Sequence, residues 1–398
     1  MNKKLVLFFI LFLSVNLFAK ECETFNYSSL ISISESYQRN LLIGLSEDLV
    51  NIDFTEGKKS DLCGCSVKDQ DCLYDCMISS ESYREEYWGR NAELPLKDKV
   101  AFGTIEIVRW KRAQQALYGR PITAKTSTNI EFKKLLIEAI DLLPSSFSER
   151  VSSKIAGIMI MEDTGNSGQA EVVFKRGSKV EFNKNSDLHK VFILLNAKRF
   201  DDSSTSKRSN YLMGLFKDDG SNIKIIKKMM EEDKDGRVFN ILNTLIHELA
   251  HADSVIGDAT IPYPWLPGQD IEDPNDFPFF TIDWKVSEES GKIERRSGDV
   301  TSVRERIKSK ELGLADASTL FDTLKNSEFP TFYSTSSFGE DYADSMTSYI
   351  WVNVLGFIEE FYILNGNGTS VGFYPSCWID KTCENKKRFF AEILELNK

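Results

Sequence analysis

The spacing of apolar residues along the chain predicts a mixture of helices and strands. Helical spacing occurs over five segments, residues 100–118, 130–143, 223–231, 237–253 and 337–363. Short apolar runs typical of strands occupy residues 155–161, 171–174 and 191–196. Helices and short strands thus precede one central helix, and mostly helices follow it. This order favours the α+β class.

The central helix, residues 237–253, has the clearest pattern. At 100° per residue its apolar side chains fall within about 50° of one line and form a stripe expected to face the core: Val238, Ile241, Leu242, Leu245, Leu249 and Ala252. His247 and His251 lie on the opposite side, about 40° apart around the helix and about 6 Å apart along its axis. The pattern therefore predicts a helix that buries one face and presents two histidines on the other.

Residues 247–251 read H-E-x-x-H, a motif that requires a helix of this kind. Two imidazoles at i and i+4 can both reach one Zn²⁺, and Glu248 between them is placed to accept a proton from a water molecule. The chain contains 3 histidines, so this motif arises by chance roughly 0.002 times in a chain of this composition. The alternative interpretation is a solvated helix face, and we expect His189, the remaining histidine, to be an ordinary surface residue.

A catalytic zinc ion needs a third protein ligand and one open coordination position. No histidine follows His251, and Gly257 stands where an extended form of the motif would place one. The third ligand is therefore expected to be a carboxylate.

Two pairs of acidic residues have the E-x-x-x-D spacing that would supply a ligand and its supporting carboxylate. Glu272 and Asp276 form the first pair, but Pro274 between them disfavours a helix that carries both. Glu340 and Asp344 form the second pair and begin a strong helical pattern, so they would share one helix face. In that arrangement Glu340 binds the metal and Asp344 orients a ligand histidine.

The segment from Tyr333 to Asp344, Y-S-T-S-S-F-G-E-D-Y-A-D, resembles a motif of gluzincin metallopeptidases related to the catalytic domain of anthrax lethal factor. That motif reads Tyr-x6-Glu-Φ-Φ-Ala-Glu, where Φ is apolar. The resemblance implies a zincin-like metallopeptidase fold, with a small mixed sheet packed on the H-E-x-x-H helix and a mainly helical C-terminal part. It also implies a set of site residues: zinc ligands His247, His251 and Glu340, general base Glu248, and oxyanion donor Tyr333.

The resemblance covers only the two motifs, and three residues depart from it. Asp253 and Asp341 stand where the family has apolar residues, and Asp344 replaces a glutamate. The long gap between the motifs implies an insertion at about 258–330.

Other roles remain open for the residues of the second motif. Ser337-x-x-Glu340 is also a capping box, in which the glutamate would bond back to the helix start. In that case Asp341 or Glu272 would be the ligand. Tyr333 could be a packing residue, and Asp344 could be a solvated carboxylate.

The first 19 residues have the pattern of a signal peptide. Lys3 and Lys4 precede an apolar run of about 14 residues that ends near Ala19. The run is shorter than the ~20 residues of a membrane anchor, the alternative interpretation. The mature protein is thus expected to have no membrane span and to be periplasmic or secreted. We expect a cysteine-containing extension or subdomain at 20–95 and a catalytic domain at 96–398.

The charge of the chain bears on its partners, and its cysteine content bears on its disulfides. The 398 residues include 60 acidic and 49 basic ones, a net charge of -11, which disfavours nucleic acid as a partner. Of the 7 cysteines, four lie between residues 63 and 76, where an exported protein is expected to form two local disulfides; a zinc knot is the alternative. Cys377 and Cys383 are expected to close a C-terminal loop, which leaves Cys22 unpaired.

These features predict an exported zinc metallopeptidase that hydrolyses a polypeptide substrate. The strand at 191–196 is predicted to form the rim of the cleft, where an extended peptide could pair with an exposed edge. Two alternatives remain, a non-catalytic extracellular binding protein with a structural or degenerate zinc site, and a zinc hydrolase of cell-wall cross-links. The sequence does not indicate the oligomeric state.

Overall fold

The computed structural model describes eight stretches of the chain, residues 63–73, 76, 94–174, 189–200, 206–229, 236–256, 277–287 and 291–395. The predicted signal peptide, most of the 20–95 segment, Cys22, Glu272 and Asp276 lie outside the described residues.

The described part of the chain is a mixed α+β protein, as predicted. Its helices are, in chain order, α1 (Ile105–Leu117), α2 (Ile130–Asp141), α3 (Ser145–Ser152), α4 (Ser206–Leu215), α5 (Gly236–Ile256), α6 (Phe280–Asp283), α7 (Gly298–Lys308), α8 (Ala317–Lys325), α9 (Phe338–Tyr349), α10 (Cys377–Asp380) and α11 (Glu384–Ile393). Its strands are β1 (Val100–Phe102), β2 (Lys125–Thr126), β3 (Ile155–Glu162), β4 (Gly168–Phe174), β5 (His189–Asn196), β6 (Lys224–Lys228), β7 (Trp284–Val286), β8 (Ile293–Arg295), β9 (Glu360–Leu364) and β10 (Ser370–Pro375).

The smaller of two compact units contains α1 and the cysteine-rich segment. Two disulfides, Cys63–Cys76 and Cys65–Cys72, cross-link that segment. Buried side chains of the segment pack against α1. The prediction of two local disulfides is therefore confirmed, and the alternative of a zinc knot is wrong.

The larger unit is built on a sheet whose strands follow the order β1-β3-β5-β4. β1, β3 and β5 run parallel, while β4 pairs antiparallel with β5 and ends the order on that side. The prediction that residues 191–196 form an exposed edge is wrong, because β5 pairs on both sides. Its side chains from Val191 to Leu195 are at most 1 % exposed, and a strand buried on both faces reads as a continuous apolar run.

Helix α5 packs one face against this sheet and against α2 and α9. Each residue of the predicted apolar stripe is buried, and five of them are fully inaccessible to solvent: Ile241, Leu242, Leu245, Leu249 and Ala252. The core therefore holds this helix by its apolar face and leaves the histidine face free for chemistry.

The segment predicted as a lysine-rich helix at 223–231 is instead strand β6. It pairs with β9, which in turn pairs with β10 to form an antiparallel three-stranded sheet. Ile225 is fully buried and Ile226 is 38 % exposed, the alternation expected of a strand with one face on a core. Pairing with a strand more than a hundred residues later thus overrides the helical preference of the lysines.

Two other predicted helices are shorter than expected. Residues 100–102 form β1, so that helix begins only at Ile105. In the C-terminal segment, α9 ends at Tyr349, a π-helical turn follows, and β9 begins at Glu360. Gly356 has a φ of 70°, and this left-handed conformation separates the helical turn from the strand.

A buried carboxylate at Asp253 links α5 to α9. The side chain is inaccessible to solvent and accepts a hydrogen bond of 2.6 Å from the Tyr342 hydroxyl on α9. It also pairs with Arg150 at 2.9 Å and with Lys154. Burial alone would raise the pKa of Asp253, but the charges of Lys154 and Arg150 outweigh it and the pKa lies below its usual value. A structural ion pair therefore explains the acidic residue at this position.

A second buried carboxylate, Asp341, anchors α9 on its other side. It accepts hydrogen bonds from Lys386 Nζ at 2.6 and 2.8 Å and from Trp284 Nε1 at 2.9 Å. Lys386 lies near the start of α11, just after the disulfide Cys377–Cys383, which confirms the predicted C-terminal loop closure. Asp341 therefore ties α9 to α11 and β7, which explains the second departure from the family pattern.

Within the described residues, no helix combines the length and apolar content needed to cross a bilayer. The three disulfides of the described residues are consistent with the oxidising environment of an exported protein.

Replacing Asp253 by asparagine is expected to lower the free energy of unfolding by about 3–5 kcal/mol, because it leaves Arg150 and Lys154 without their buried partner. Urea denaturation followed by circular dichroism measures this change. Asp141→Asn, at an exposed position on α2, is the control and should alter stability by less than about 0.5 kcal/mol. Equal stability of the two variants would show that Asp253 does not hold the two helices together.

Candidate metal centre

Helix α5 presents His247 and His251 on the face opposite its buried stripe. Their Nε2 atoms lie 3.1 Å apart, and their rings meet edge to face with centroids separated by 4.7 Å. Both side chains are partly shielded, at 15 % and 21 % exposure. The two imidazoles thus converge on one point, as the i, i+4 spacing predicts.

Helix α9 brings Glu340 to the same point. One carboxylate oxygen, Oε2, lies 3.1 Å from His247 Nε2 and 3.3 Å from His251 Nε2. Burial opposes ionisation of Glu340, but hydrogen bonds and charges from the two histidines outweigh it and hold its pKa well below its usual range.

The start of α9 determines the direction in which Glu340 points. Ser337 caps the helix, and its hydroxyl accepts a hydrogen bond from the backbone N–H of Glu340 at 3.2 Å. The capping contact from Ser337 involves only the backbone of Glu340, and the Glu340 side chain contacts the histidines. The predicted competition between capping and ligation is therefore absent at this residue.

The triangle of Nε2, Nε2 and Oε2 has an electrostatic conflict that a cation removes. If both imidazoles donate to the ionised carboxylate, two N–H groups face each other at 3.1 Å. If one imidazole instead accepts a hydrogen bond from the other, its lone pair faces the carboxylate. A divalent cation receives a lone pair from all three atoms, and His247, His251 and Glu340 are the one such group among the described residues. These residues could therefore hold a metal ion.

Glu248 lies on the sheet side of α5, where strand β4 covers it. Its side chain is 7 % exposed, and the backbone N–H of Ala170 donates a hydrogen bond to its carboxylate. Burial raises the pKa of Glu248 to about 7, the charge of Glu340 adds to the rise, and His251 opposes it.

Gly168 of β4 leaves the space that Glu248 occupies. A Cβ at this position would lie 2.7 Å from Glu248 Oε1 and 2.7 Å from Thr244 Cγ2. The close approach of strand and helix therefore depends on a residue without a side chain.

Asp344 lies one turn after Glu340 and faces His247. Its Oδ1 is 3.9 Å from His247 Nδ1, longer than a hydrogen bond but within ion-pair distance. Its other oxygen accepts a hydrogen bond from the Thr331 hydroxyl, and the same hydroxyl accepts one from the backbone N–H of Tyr333 at 3.0 Å. Thr331 thus connects the carboxylate that faces His247 to the turn that carries Tyr333.

Tyr333 borders the group from the solvent side. Its ring centroid is 5.7 Å from that of His247, and the residue is 39 % exposed. Burial of the hydroxyl raises the pKa of Tyr333 well above its usual value, and the charges of Glu340 and Glu248 raise it further. The phenol therefore stays protonated at neutral pH and can donate a hydrogen bond.

The structure brings every residue of the predicted site together, and it adds others that the sequence did not reveal. Gly168, Ala170 and Thr331 have no local signal for their roles, except that Thr331 precedes Tyr333 by two residues, the spacing of a threonine-capped turn. The backbone of His189 belongs to β5.

Comparison with known proteins gives no match, neither to a protein-family model, nor to a curated protein, nor to a solved structure. The function therefore has to be inferred from the residues and their geometry.

The mature chain is expected to bind one divalent cation, and Glu340→Gln or His247→Ala should weaken that binding by more than about 100-fold. His247→Ala removes one of the three donor atoms, and Glu340→Gln replaces the anionic carboxylate by a neutral amide, which is a weaker ligand. Metal analysis after dialysis against a graded series of chelator concentrations measures the affinity. His189→Ala, which removes the remaining histidine, should leave it unchanged. A wild-type protein that binds no cation, or a Glu340→Gln variant with wild-type affinity, would contradict the site.

Proposed function

We propose that this protein is an exported zinc-dependent metallopeptidase of the gluzincin type, with a zincin-like fold. The observation that carries the proposal is the triangle formed by His247, His251 and Glu340. Its sides measure 3.1, 3.1 and 3.3 Å. Zinc–ligand bonds of about 2.0–2.1 Å in tetrahedral geometry require neighbouring ligand atoms to lie about 3.3 Å apart.

The composition of the donor set favours a catalytic ion over a structural one. Structural zinc sites are closed by four cysteine or histidine ligands, whereas catalytic sites have three protein ligands and one open position. All six cysteines of the described residues form disulfides, so none supplies a fourth ligand. Two histidines and one glutamate match the catalytic arrangement.

The arrangement of elements supports the fold assignment. Strand β4 lies next to β5 at the end of the order β1-β3-β5-β4, runs antiparallel to it, and covers Glu248 on α5. A second helix, α9, crosses α5 and supplies the acidic ligand. The resemblance to gluzincins implies a small mixed sheet packed on the H-E-x-x-H helix, and this arrangement is consistent with that expectation.

Each residue of the site then has a defined task in peptide hydrolysis. A bound zinc ion supplies Lewis-acid activation of water and of the substrate carbonyl. Glu248, held by the Ala170 N–H, takes the proton of the attacking water and returns it to the leaving amine. Tyr333 donates its phenolic hydrogen to the oxyanion, and Asp344 orients His247.

The substrate chain is expected to bind along β4. This strand pairs with β5 on one side, and among the described strands it has no partner on the other. An extended peptide that adds to this edge passes beside Glu248, because Gly168 and Ala170 of the same strand contact that side chain.

Glu248→Gln is expected to keep the zinc ion and to lower peptide hydrolysis by about 10²–10⁴-fold, because the amide cannot take up the proton. Zinc content and cleavage of casein, measured on the same preparations, test this. Wild-type activity in the variant would remove Glu248 from the mechanism.

The same preparations separate the two alternatives. A wild-type protein that binds zinc but digests neither casein nor purified cell walls would be a binding protein. Release of cell-wall fragments without casein cleavage would indicate the cell-wall hydrolase.

Gly168→Ala is expected to reduce kcat by up to about 100-fold with zinc retained, because the added methyl group displaces the Glu248 carboxylate from the Ala170 N–H. Gly214→Ala on α4 is the matched control, since a Cβ there meets no atom within 4 Å. Unchanged kcat in Gly168→Ala would show that the position of the Glu248 carboxylate does not depend on the space left by Gly168.

A further inference from the structure

An arginine that has no carboxylate partner among the described residues lies beside the turn that carries Tyr333. Arg304, on α7, donates a hydrogen bond from Nη1 to the Thr335 hydroxyl at 2.9 Å. Its guanidinium carbon lies 5.1 Å from the ring centroid of Phe332. The guanidinium therefore contacts Phe332, the residue before Tyr333, and Thr335, two residues after it.

The other two basic residues of α7 have acidic partners, whereas Arg304 has none among the described residues. Lys308 contacts Glu305 at 3.2 Å, and Arg306 lies 4.0 Å from Glu311. Arg304 forms no ion pair with any described carboxylate, and its buried Nε donates no hydrogen bond there.

A second arginine increases the positive charge at this place. Arg295 Nε donates to the backbone carbonyl of Thr335 at 2.6 Å, and Arg295 likewise has no ion pair with a described carboxylate. Burial lowers the pKa of both arginines, and the charge of Arg304 lowers the pKa of Arg295 further. Two like charges beside one turn are stabilised by an anion placed near them.

Tyr211 of α4 connects this cation to the metal centre. Its ring meets that of Tyr333 edge to face at 6.4 Å, and 48 % of the residue is exposed. Burial raises the pKa of Tyr211, the charge of Asp344 adds to the rise, and the charge of Arg304 opposes it. The hydroxyl therefore lies within electrostatic reach of both the site carboxylates and the guanidinium.

We propose that Arg304 and the Tyr211 hydroxyl form an anion subsite that binds a carboxylate of the substrate beside the scissile bond. A guanidinium with unused donors recognises a carboxylate through short, directional hydrogen bonds, and a phenol adds a further donor. The carboxylate belongs either to an acidic side chain or to the end of the substrate chain. This inference rests on the proposed peptidase function and adds the class of substrate to it.

The competing role for Arg304 is a purely structural one, in which it holds Thr335 and hence the turn. That role predicts equal losses for acidic and neutral substrates when Arg304 is replaced. The subsite predicts a loss confined to acidic substrates.

The test uses the zinc-loaded mature chain and four fluorescent peptides built on one sequence that it cleaves, identified first by digesting a mixed peptide library. One pair differs only by glutamate or glutamine next to the scissile bond, and the other pair ends in a free carboxylate or an amide. The wild type should show a kcat/KM roughly ten- to hundredfold higher for the acidic member of one pair, and the pair concerned identifies the source of the carboxylate.

Substitutions show which residues cause the preference for the acidic peptide. Arg304→Gln should abolish the preference through KM while leaving hydrolysis of the neutral peptide within about twofold, and Tyr211→Phe should reduce it. Arg306→Gln, on the same helix and paired with Glu311, is the matched control and should keep it. If Arg304→Gln does not fold, Arg304→Lys, which keeps the charge but not the fork of donors, takes its place and should still weaken the preference.

Equal kcat/KM for acidic and neutral peptides in the wild type would overturn the subsite alone. Equal losses for both peptides in Arg304→Gln would also overturn it and would establish the structural role. A wild type that binds zinc and cleaves no peptide of the library would overturn the proposed function together with the subsite.

Discussion

Two helices from distant parts of the chain have to meet within hydrogen-bond distance for this site to exist, and the buried carboxylate of Asp253 holds them there. It is placed two residues after His251 and accepts a hydrogen bond from Tyr342, which is two residues after Glu340. The ion pairs of Asp253 with Arg150 and Lys154 compensate for its burial. The hydrogen bond between Asp253 of α5 and Tyr342 of α9 is thus made directly beside the ligands. It opposes small rotations of either helix that would move His251 and Glu340 apart.

The opposite side of α9 is held in the same manner. Asp341, next to Glu340, is surrounded by Lys386, Trp284 and Ser345. Both acidic residues occupy positions that are apolar in the motif that the sequence resembles, so this chain has buried charge at two places where that motif has none. The consequence is a site with strict geometric demands, since removing one partner of a buried pair leaves an uncompensated charge.

Much of the chemistry could be read from the sequence because it is encoded locally. The apolar stripe and the histidines of α5 follow from helical periodicity alone, and Glu340 and Asp344 share a face for the same reason. The incorrect predictions have physical causes as well. β6 was expected as a helix because its long-range pairing with β9 leaves no trace in nearby residues, and the edge position was assigned to β5 because a short apolar run does not reveal how many neighbours a strand has.

Other parts of the site could not be predicted, because they depend on tertiary contacts. Gly168 has no motif around it, and its importance becomes visible only when β4 lies against Glu248. Arg304 and Tyr211 belong to segments that periodicity describes poorly, and they reach Tyr333 only through the fold. Tyr333 itself was proposed from the family resemblance, since a tyrosine after Pro330 and Phe332 would otherwise suggest packing.

The separation of the ligands along the chain has a consequence for biosynthesis. Glu340 follows His247 by 93 residues, and the lysine that steadies its helix comes later still, at Lys386. A ribosome makes the polypeptide from the N-terminus at about 5–20 residues per second, so the histidine pair emerges several seconds before its acidic partner. During that interval the growing chain has the two histidine ligands but not the glutamate ligand. The donor set of the proposed enzyme is thus complete only after the segment that carries Glu340 has been made and helix α9 has packed against α5.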